Sequence, residues 1–538
     1  MKRETDYGHT LKAVYTPKDI EGFDYERDLA DPGLSPYTRG YYPEGYRSRM
    51  WTQRMTAGLG SSQDTNKVLH KYREMGQRGG MCVIADRPTA LGIDSDHPIG
   101  RKEAGVLGWP GGSLAEFEEL MEGIPLTGQS ITLLGSSAHS MIRLAYVFAL
   151  AEKRKVNIEE VHGGVLEYPY GSLFGQDDNQ PLDLTMKLFL DASEYAIRNK
   201  FHLRAGILSQ HFQESGGNNA QALALEMAML NEICSFLVNE RGLDFDDVAK
   251  LPYELVSIGT RFFEEIAKIR ALRRMWVKLA KGKFKAKKEE SCRLLISVHT
   301  SGRTMTYQQP LNNIVRTAIQ TLAGAVAGCT AIDNATLDNA HAEPSALAAR
   351  MSLNTQHIVA DETGAADVVD PLGGSYFVEY LTNQVEEEAY KIWNKIEELG
   401  GMSGAIKKEY IQNMLREEII KKHRQFETGE RTIVGVHKLV IPSEEDFKIP
   451  IQEVHASDSE NIARRMEERK KTRNIPLVKE KLGQLYNDAK KENRYNLMPS
   501  VIEAVKAYAS EGEIIGVIRL ARGLSYDPFK MITCPFDF

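Results

Sequence analysis

Cysteine is scarce in this sequence, and no two cysteines are spaced as a metal-binding or redox pair. The chain has 538 residues and five cysteines, at positions 82, 234, 292, 329 and 534. This scatter argues against a disulfide framework or a zinc knuckle and indicates a reducing compartment. The first residues, MKRETDYGHTLKAVYTP, lack the apolar segment of a signal peptide. We therefore expect a cytoplasmic protein.

Long hydrophobic runs and a strong excess of one charge are also missing. The longest clean apolar run, LAYVFALA at 144–151, is far too short to span a bilayer. The net charge is −7 and the isoelectric point is about 6.1, so the chain has no general attraction for nucleic acid or anionic lipid. With 42% hydrophobic and 26% charged residues, the composition is that of a globular protein. We expect neither nucleic acid nor a membrane as its partner.

Several catalytic motifs are absent as well. There is no GxGxxG after a strand, no GxxxxGK[ST], no HExxH and no GxSxG. The stretch GSSAHS at 135–140 holds a serine and a histidine but lacks the third group that orients a catalytic triad. A serine hydrolase is therefore disfavoured.

What the sequence does contain is a regular alternation of short β-rich runs and longer helical periods. We predict strands at 81–86, 130–135, 162–167, 203–209, 254–259, 293–299, 328–333 and 366–370. Helices are predicted at 64–77, 113–122, 137–154, 181–199, 219–239, 260–280, 310–327, 343–359 and 381–399. Eight such units with apolar strands predict an α/β fold, a (β/α)8 TIM barrel, with a doubly wound open sheet as the alternative.

The chain is predicted to have three parts. Residues 1–50 are rich in Tyr, Pro, Gly and Arg and are expected to form an extended arm, and residues 51–400 the barrel. Residues 401–538 are predicted to be a helical region with helices at 407–430, 459–474, 476–493 and 501–522. The basic run at 278–291 is either a solvated loop or a contact for the phosphates of a nucleotide-like ligand.

Chemistry in a barrel belongs at the carboxyl ends of the strands. These ends carry Asp86, Ser136, Glu167, Gln210, His211, Thr260, His299, Asp333, Asn334 and Asp370. Carboxylates and histidines are not clustered there as metal ligands, so no metal site is predicted. Amides, hydroxyls and two histidines suit an uncharged polar group such as a thioester carbonyl.

One short stretch, GIDSDHPIG at 92–100, gathers Asp94, Asp96 and His97. It is open to three interpretations: a metal site, a cofactor ligand or a polar structural turn. The residues alone leave the three interpretations open.

Blocks spread along the chain resemble the large, substrate-binding subunit of the cobalamin-dependent acyl-CoA mutase family, which includes methylmalonyl-CoA, isobutyryl-CoA and 2-hydroxyisobutyryl-CoA mutases. They are PYTRGYYPEGYRSRMWTQRMTAGLGSSQDTN (36–66), DRPTALGIDSDHP (86–98), GIPL (123–126), FFEEIAKIRALRRMW (262–276), PLNNIVRTAIQTLAG (310–324), DPLGGSYFVEYLT (370–382), GGM (400–402) and NLMPSVIEAVKA (496–507). Their order, more than any single block, carries the resemblance.

The resemblance implies adenosylcobalamin as the cofactor and a radical rearrangement of the carbon skeleton of an acyl-CoA. Cobalamin modules of this class use Asp-x-His-x-x-Gly, in which the histidine binds cobalt. His97 and Gly100 fit this spacing, but Ser95 stands where the aspartate belongs, and the motif occurs nowhere else. The comparison with the family therefore favours a structural turn at 92–100. We therefore expect a separate small cobalamin-binding subunit that carries the motif. An α2β2 heterotetramer and a GTPase chaperone are further implications.

The resemblance also assigns roles to individual positions. His211 matches the histidine that donates a hydrogen bond to the thioester carbonyl, and Gln210 replaces the neighbouring tyrosine of the family. Matches to contacts with CoA or substrate are Arg49, Thr52 and Arg54, with Tyr42 and Thr132 as weaker ones, and His299 at the barrel mouth is added to the substrate contacts. The cofactor side is assigned Glu214, Asn334 and Asn339, the last in place of a glutamate that meets the adenosyl ribose.

Departures from the family pattern bear on the acyl group. Thr56 stands where relatives have tyrosine, phenylalanine or isoleucine, and Ile84 where the 2-hydroxyisobutyryl enzyme has aspartate. Gln176 falls where methylmalonyl-CoA mutase has an arginine for the free carboxylate. Together these predict a branched acyl-CoA without a free carboxylate. The alternatives are a 2-hydroxyisobutyryl-CoA-like or methylmalonyl-CoA mutase, or a non-catalytic barrel that binds a CoA ester, which the divergent block 329–339 keeps open.

Overall fold

The computed structural model describes residues 3–135, 139–174, 180–207, 210–449 and 456–538. The chain divides into two compact units, each made of separate stretches. Unit 1 comprises Met1–Arg54, Ile207–Ser235 and Asp244–Gln452, and unit 2 comprises Met55–Gly206, Phe236–Leu243 and Glu453–Phe538. The predicted order of arm, barrel and helical region along the chain stays a prediction.

Nine strands occur in the described residues. They are β1 (Thr52–Arg54), β2 (Thr56–Ala57), β3 (Gly80–Ile84), β4 (Ser130–Leu134), β5 (His162–Glu167), β6 (His202–Ile207), β7 (Pro252–Ile258), β8 (Leu295–Thr300) and β9 (Ala331–Asp333). In unit 1 the strand order is β1-β9-β8-β7, and in unit 2 it is β2-β3-β4-β5-β6. All of these pairs are parallel.

Helices separate the strands and continue to the end of the described chain. They are α1 (Ser62–Glu74), α2 (Arg87–Ala90), α3 (Leu114–Leu120), α4 (Ser140–Lys153), α5 (Leu182–Arg198), α6 (Gln210–Glu214), α7 (Asn219–Ser235), α8 (Phe245–Val248), α9 (Phe262–Gly282), α10 (Asn312–Val326), α11 (Ala346–Asp361), α12 (Tyr376–Glu398), α13 (Gly401–Lys407), α14 (Tyr410–Glu427), α15 (Ala456–Thr472), α16 (Ile475–Ala489), α17 (Met498–Lys506) and α18 (Glu511–Ala521).

The strands are buried apolar runs, as parallel strands covered by helices must be. In β3 the side chains of Met81, Cys82 and Val83 are all buried, although they alternate between the two faces of the sheet. Parallel strands joined by helices define the predicted (β/α)8 TIM-barrel class, and the helical character of the region after residue 400 agrees with the prediction. The fold class is confirmed.

One predicted strand was wrong, and two short strands were not predicted. The run 366–370 forms turns, because Val368 is exposed and the Asp370 carboxylate is held by Arg270 and Arg39. The first strands are β1 and β2 instead, which have three and two residues and are too short to show a period of two in the sequence.

One predicted C-terminal helix is in fact two. The run 501–522 breaks after Lys506, and Ser510 begins α18 by accepting a hydrogen bond from the backbone of Glu513, whose carboxylate bonds back to Ser510. This reciprocal capping box ends one helical period and starts another. Its signal, Ser followed three residues later by Glu, is present in the sequence.

One segment, Asn219–Glu240, is long and apolar enough to cross a membrane by length and composition alone. It contains α7, and 78% of its most apolar window is buried inside the protein. This burial is typical of a core helix of a globular fold.

Candidate active site

Four strand ends of unit 1 carry polar side chains at the same level. In the strand register Ser257 of β7 pairs with His299 of β8, His299 with Asp333 of β9, and Asp333 with Arg54 of β1. Register partners on neighbouring parallel strands point to the same face, so the four side chains form one row. The row holds an acid between two basic groups, at the edge where barrel enzymes hold their active sites.

His299 and Asp333 form an ion pair within this row. Nδ1 of His299 lies 3.5 Å from Oδ2 of Asp333, and the two side chains are 26% and 7% exposed. Burial lowers the pKa of His299, but the hydrogen bond and charge of Asp333, together with the charge of Glu214, raise it above its ordinary value. The imidazole is therefore held in its charged form more strongly than a free histidine.

Glu214 joins this row to the loop after β8. It is the last residue of α6, and its carboxylate accepts hydrogen bonds from Ser257 Oγ at 2.6 Å and from the backbone N–H of Arg303 at 2.9 Å. The Arg303 guanidinium in turn donates to the backbone oxygen of Glu214 at 2.9 Å. Two loops are thereby fixed against each other at the end of β7.

His211 lies one helical turn before Glu214 on α6. Burial lowers the pKa of His211 to about 4; the negative charge of Glu214 opposes this and the charge of His299 adds to it. At neutral pH His211 is therefore uncharged. The neighbouring Gln210 has a buried side-chain oxygen that accepts no hydrogen bond from the described residues. Since buried polar atoms usually have a partner, this oxygen fits a site that binds a polar ligand.

A buried lysine behind the row supports it. Lys268 of α9 is fully buried and donates to the side-chain oxygen of Gln213 at 2.8 Å and to the backbone oxygen of Ser257 at 2.6 Å. Its charge is balanced by Glu265, one turn earlier on α9. Lys268 thus fixes α6 relative to β7, and through them the positions of Glu214 and His211.

The two asparagines assigned to the cofactor differ in their surroundings. Asn339 is exposed beside Gly302, where an added Cβ would lie 2.8 Å from Asn339 Oδ1 and 4.0 Å from Glu214 Oε2. The side chains of Asn339 and Glu214 thus both approach the loop at Gly302, and a side chain at position 302 would displace the Asn339 amide. Asn334 is buried, accepts a hydrogen bond from Thr321 and donates one to the backbone oxygen of Ser352, so both ends of its amide are used within the protein.

The N-terminal candidates lie around β1. Arg54 is buried, with its guanidinium 5.9 Å from the centre of the Tyr253 ring, and its backbone oxygen accepts a hydrogen bond from Gln356 at 3.1 Å. Thr52 is half-buried and donates its backbone N–H to Thr330. Arg49 is exposed, and Tyr42 packs edge-on against Tyr41. Of these N-terminal candidates, Arg54 is the one that the strand register places in the polar row.

Unit 2 carries three further candidates on β2, β3 and β4. Thr56 pairs in register with Cys82, and Cys82 with Thr132, and the Thr56 hydroxyl lies 3.4 Å from Cys82 Sγ. Ile84 ends β3 two residues after Cys82, on the same face, and is 41% exposed. Thr56, Thr132 and Ile84 thus share one sheet face. Gln176 lies outside the described residues.

The turn at 92–100 is bound to the C-terminal helices of unit 2. The Asp94 carboxylate accepts hydrogen bonds from Ser510 Oγ at 2.5 Å and the Gly512 N–H at 2.8 Å, and Lys470 binds both Asp94 and Asp96. His97 Nε2 lies 3.2 Å from Asp527 Oδ2, and its Nδ1 accepts the N–H of Ile99. Both ring nitrogens are used, which supports a structural turn over a metal or cobalamin ligand.

The lysines of the basic run 278–291 are largely paired with protein groups. Lys281 binds Glu289 at 2.9 Å, Lys287 binds Asp244 at 2.8 Å, and Lys283 donates to Asn231 and Ser235. These contacts favour the solvated loop over the phosphate contact.

The sequence predicts His211, Glu214, His299 and Arg54 as site residues but does not indicate the groups that hold them. Ser257 and Lys268 carry no motif, and their partners lie 43 and 55 residues away in the chain. A signal was available for Ser257, because the strand register pairs it with His299.

The fold is that of a (β/α)8 barrel, and the polar row lies at the strand ends, where barrel enzymes hold their active sites. A profile of the methylmalonyl-CoA mutase family matches residues 4–523. The chain therefore belongs to the methylmalonyl-CoA mutase family, and the predicted family and enzyme class, an isomerase of the intramolecular-transferase type, are confirmed.

Individual relatives agree over nearly the whole chain. It is 35% identical over 508 residues to the 2-hydroxyisobutanoyl-CoA mutase large subunit of Aquincola tertiaricarbonis, covering 94% of this chain and 89% of that one. It is 31% identical over 522 residues to methylmalonyl-CoA mutase of Rhizobium meliloti, covering 96% and 72%. To the mitochondrial methylmalonyl-CoA mutase of Homo sapiens it is 32% identical over 526 residues, covering 96% and 68%.

Proposed function

We propose that the chain is the large, substrate-binding subunit of an adenosylcobalamin-dependent acyl-CoA mutase that rearranges the carbon skeleton of a branched acyl-CoA. The observation that carries the proposal is the family match over residues 4–523, with His211 in a preorganised site at the strand ends. The similarity to a protein named as a large subunit supports a division of labour with a small subunit.

Adenosylcobalamin, when bound, supplies the radical chemistry. The residues facing it on this chain fit that role: the exposed amide of Asn339 and the carboxylate of Glu214 meet at Gly302, where an amide and an acceptor suit ribose hydroxyls. The cobalamin itself is assigned to a small subunit with Asp-x-His-x-x-Gly, because that motif is absent here and both nitrogens of His97 are engaged. Two copies of each subunit and a GTPase chaperone complete the proposed assembly.

The chain's own residues bind and orient the acyl-CoA. His211, uncharged at neutral pH, donates a hydrogen bond to the thioester carbonyl, where negative charge grows as the acyl group migrates. Gln210 offers a buried side-chain oxygen next to it. Arg54, Arg49 and Thr52 are assigned to the CoA moiety, because a guanidinium donates paired hydrogen bonds to phosphate oxygens.

The acyl group is proposed to be apolar and branched, without a free carboxylate. Ile84 offers no acceptor for a 2-hydroxyl, and leaving that hydroxyl unpaired costs about 1–3 kcal/mol. Thr56 is smaller than the tyrosine, phenylalanine or isoleucine of the family and leaves room for a group bulkier than isobutyryl. Both side chains lie on the same face as Thr132.

A second candidate is a barrel that binds a CoA ester without catalysing its rearrangement. The observation that favours it concerns Asn334 in the divergent block 329–339. Its amide accepts a hydrogen bond from Thr321 and donates one to the backbone oxygen of Ser352, so both ends are bound within the protein instead of to a cofactor. Such a protein would bind acyl-CoA but form no isomer.

A panel of CoA esters tests the proposal. The chain, reconstituted with its small subunit and adenosylcobalamin, is assayed with isobutyryl-, pivalyl-, 2-hydroxyisobutyryl- and methylmalonyl-CoA, and the isomer is quantified. We expect the highest kcat/KM for pivalyl-CoA. A highest value for methylmalonyl-CoA or 2-hydroxyisobutyryl-CoA would reject the proposed acyl group, and binding without any isomer would favour the second candidate.

A further inference from the structure

Unit 1 contains a histidine–aspartate pair at the strand ends that the proposed mechanism does not use. His299 and Asp333 are register partners on β8 and β9, 3.5 Å apart, and the His299 side chain remains 26% exposed while Asp333 is nearly buried. The contact with Asp333 uses Nδ1 of His299. The other ring nitrogen, Nε2, is therefore the one available to a ligand.

The charged groups around His299 come from three elements. Asp333 lies on β9, with Arg54 of β1 as its other register partner, and Glu214 and His211 lie on α6. Ser257 on β7 is the register partner of His299 on the remaining side and is neutral. The two carboxylates favour the charged imidazole, while burial opposes it.

His211 and His299 are close enough that the charge of His299 acts on His211, and the charge of Glu214 acts on both. Their environments shift the two pKa values in opposite directions: the pKa of His211 falls to about 4 and that of His299 rises. Two titratable groups pushed in opposite directions at one site are the pattern of an active site with two distinct roles.

We propose that His299 is a second catalytic residue, which donates a hydrogen bond from Nε2 to the thioester oxygen of the bound acyl-CoA, and that Asp333 is the residue that positions it. The inference rests on the proposed function, because it requires an acyl-CoA at the strand ends. The oxygen then has one neutral donor, His211, and one cationic donor, His299. No proton is transferred: the hydrogen bond shortens as charge develops on the oxygen and relaxes when the product forms.

The first test replaces His299 in the full reconstituted complex. His299→Gln keeps an N–H donor but removes the charge, and we expect kcat to fall about 10-fold with KM changed only a few-fold, because a charged donor makes a hydrogen bond roughly twice as strong as a neutral donor does. The matched control is His357→Gln, since His357 of α11 forms another histidine–aspartate pair of unit 1, with Asp361 at 3.9 Å. Equal kcat for wild type and His299→Gln would overturn the inference.

The second test is a pH profile, which a purely structural role would not move. The charged form of His299 exists below its raised pKa, so kcat/KM of the wild-type complex falls as the pH rises through that value. Asp333→Asn removes the main cause that raises the pKa of His299. The decline of kcat/KM at high pH should therefore begin at a lower pH in this variant. If an active Asp333→Asn complex lost kcat/KM at the same pH as the wild type, the positioning role of Asp333 would be contradicted.

The third readout does not depend on turnover. In the full chain with 15N-labelled histidine, addition of isobutyryl-CoA is expected to shift the Nε2 resonance of His299, assigned through the loss of its signal in His299→Gln. If the wild-type complex isomerises no CoA ester, the proposed function fails, and this shift alone decides the inference. Absence of the shift at saturating isobutyryl-CoA overturns it.

Discussion

At the scale of single residues, the site is controlled by what lies behind the side chains that face the ligand. His211 is kept uncharged by burial, while Asp333 and Glu214 oppose the same effect at His299. Glu214 is itself fixed by Ser257 and the Arg303 backbone, and Lys268 fixes Ser257. Preorganised donors of this kind act without reorganising during the reaction.

Replacing His211 tests its role directly. His211→Ala in the reconstituted complex removes the donor to the thioester carbonyl, and we expect the activation barrier to rise by about 2–4 kcal/mol, mainly through kcat. The measurement is steady-state turnover, with His423→Ala on the exposed face of α14 as the control. A turnover number equal to that of the control variant would reject the role.

Some residues of the site can be predicted from the sequence, and others cannot. His211, His299 and Asp333 are visible because each follows a β-rich run, and barrels hold their chemistry there. Lys268 is hidden inside a helical block of charged residues, FFEEIAKIRALRRMW, most of which the fold buries. Sequence periodicity treats such charges as solvated, and only the packing of α9 shows that they are paired inside the protein.

At the scale of elements, the turn at 92–100 shows how polar side chains can attach one element to another. Asp94, Asp96 and His97 resemble a ligand set in the sequence, yet each contacts the C-terminal part of unit 2, through Lys470, Ser510 and Asp527. Partners more than 370 residues away in the chain are invisible to spacing rules. The missed strands β1 and β2 are a simpler case, since they are too short to show a period.

Asp94 is expected to stabilise unit 2 as a carboxylate. Burial raises its pKa, but Lys470, Ser510 and Gly512 lower it more, so the folded pKa lies below the ordinary value. Its contribution is therefore present above about pH 3.9 and is lost as the pH falls through the lowered pKa. Asp94→Asn should reduce the free energy of unfolding at pH 7 by about 3 kcal/mol, the cost of breaking a buried ion pair.

Urea unfolding followed by circular dichroism measures this difference. Asp183→Asn is the control, because Asp183 is exposed in the first turn of α5, and its effect should stay within about 0.5 kcal/mol. The gap between wild type and Asp94→Asn should narrow as the pH falls below 4. Equal unfolding free energies at pH 7 would show that the turn does not depend on this carboxylate.

At the scale of the whole molecule, the alternation of strands and helices was sufficient to predict the barrel class. Apolar parallel strands and helical periods recur through the chain. The prediction of the barrel class therefore holds although the strand predicted at 366–370 is absent, because the neighbouring strands and helices were predicted correctly. The ordered family blocks predicted the family, which the match over 4–523 confirms. The acyl group was harder, because it depends on single side chains such as Ile84 and Thr56, and Gln176 lies outside the described residues.

The central claim is that this chain supplies the acyl-CoA site of a mutase whose cobalamin is presented by another subunit. Formation of the isomerised acyl-CoA is measured with the chain, a small subunit carrying Asp-x-His-x-x-Gly, adenosylcobalamin and pivalyl-CoA, leaving out one protein or the cofactor at a time. The account predicts isomer only when all components are present. Isomer formed by this chain and adenosylcobalamin without the small subunit, or formed without cobalamin, would contradict it.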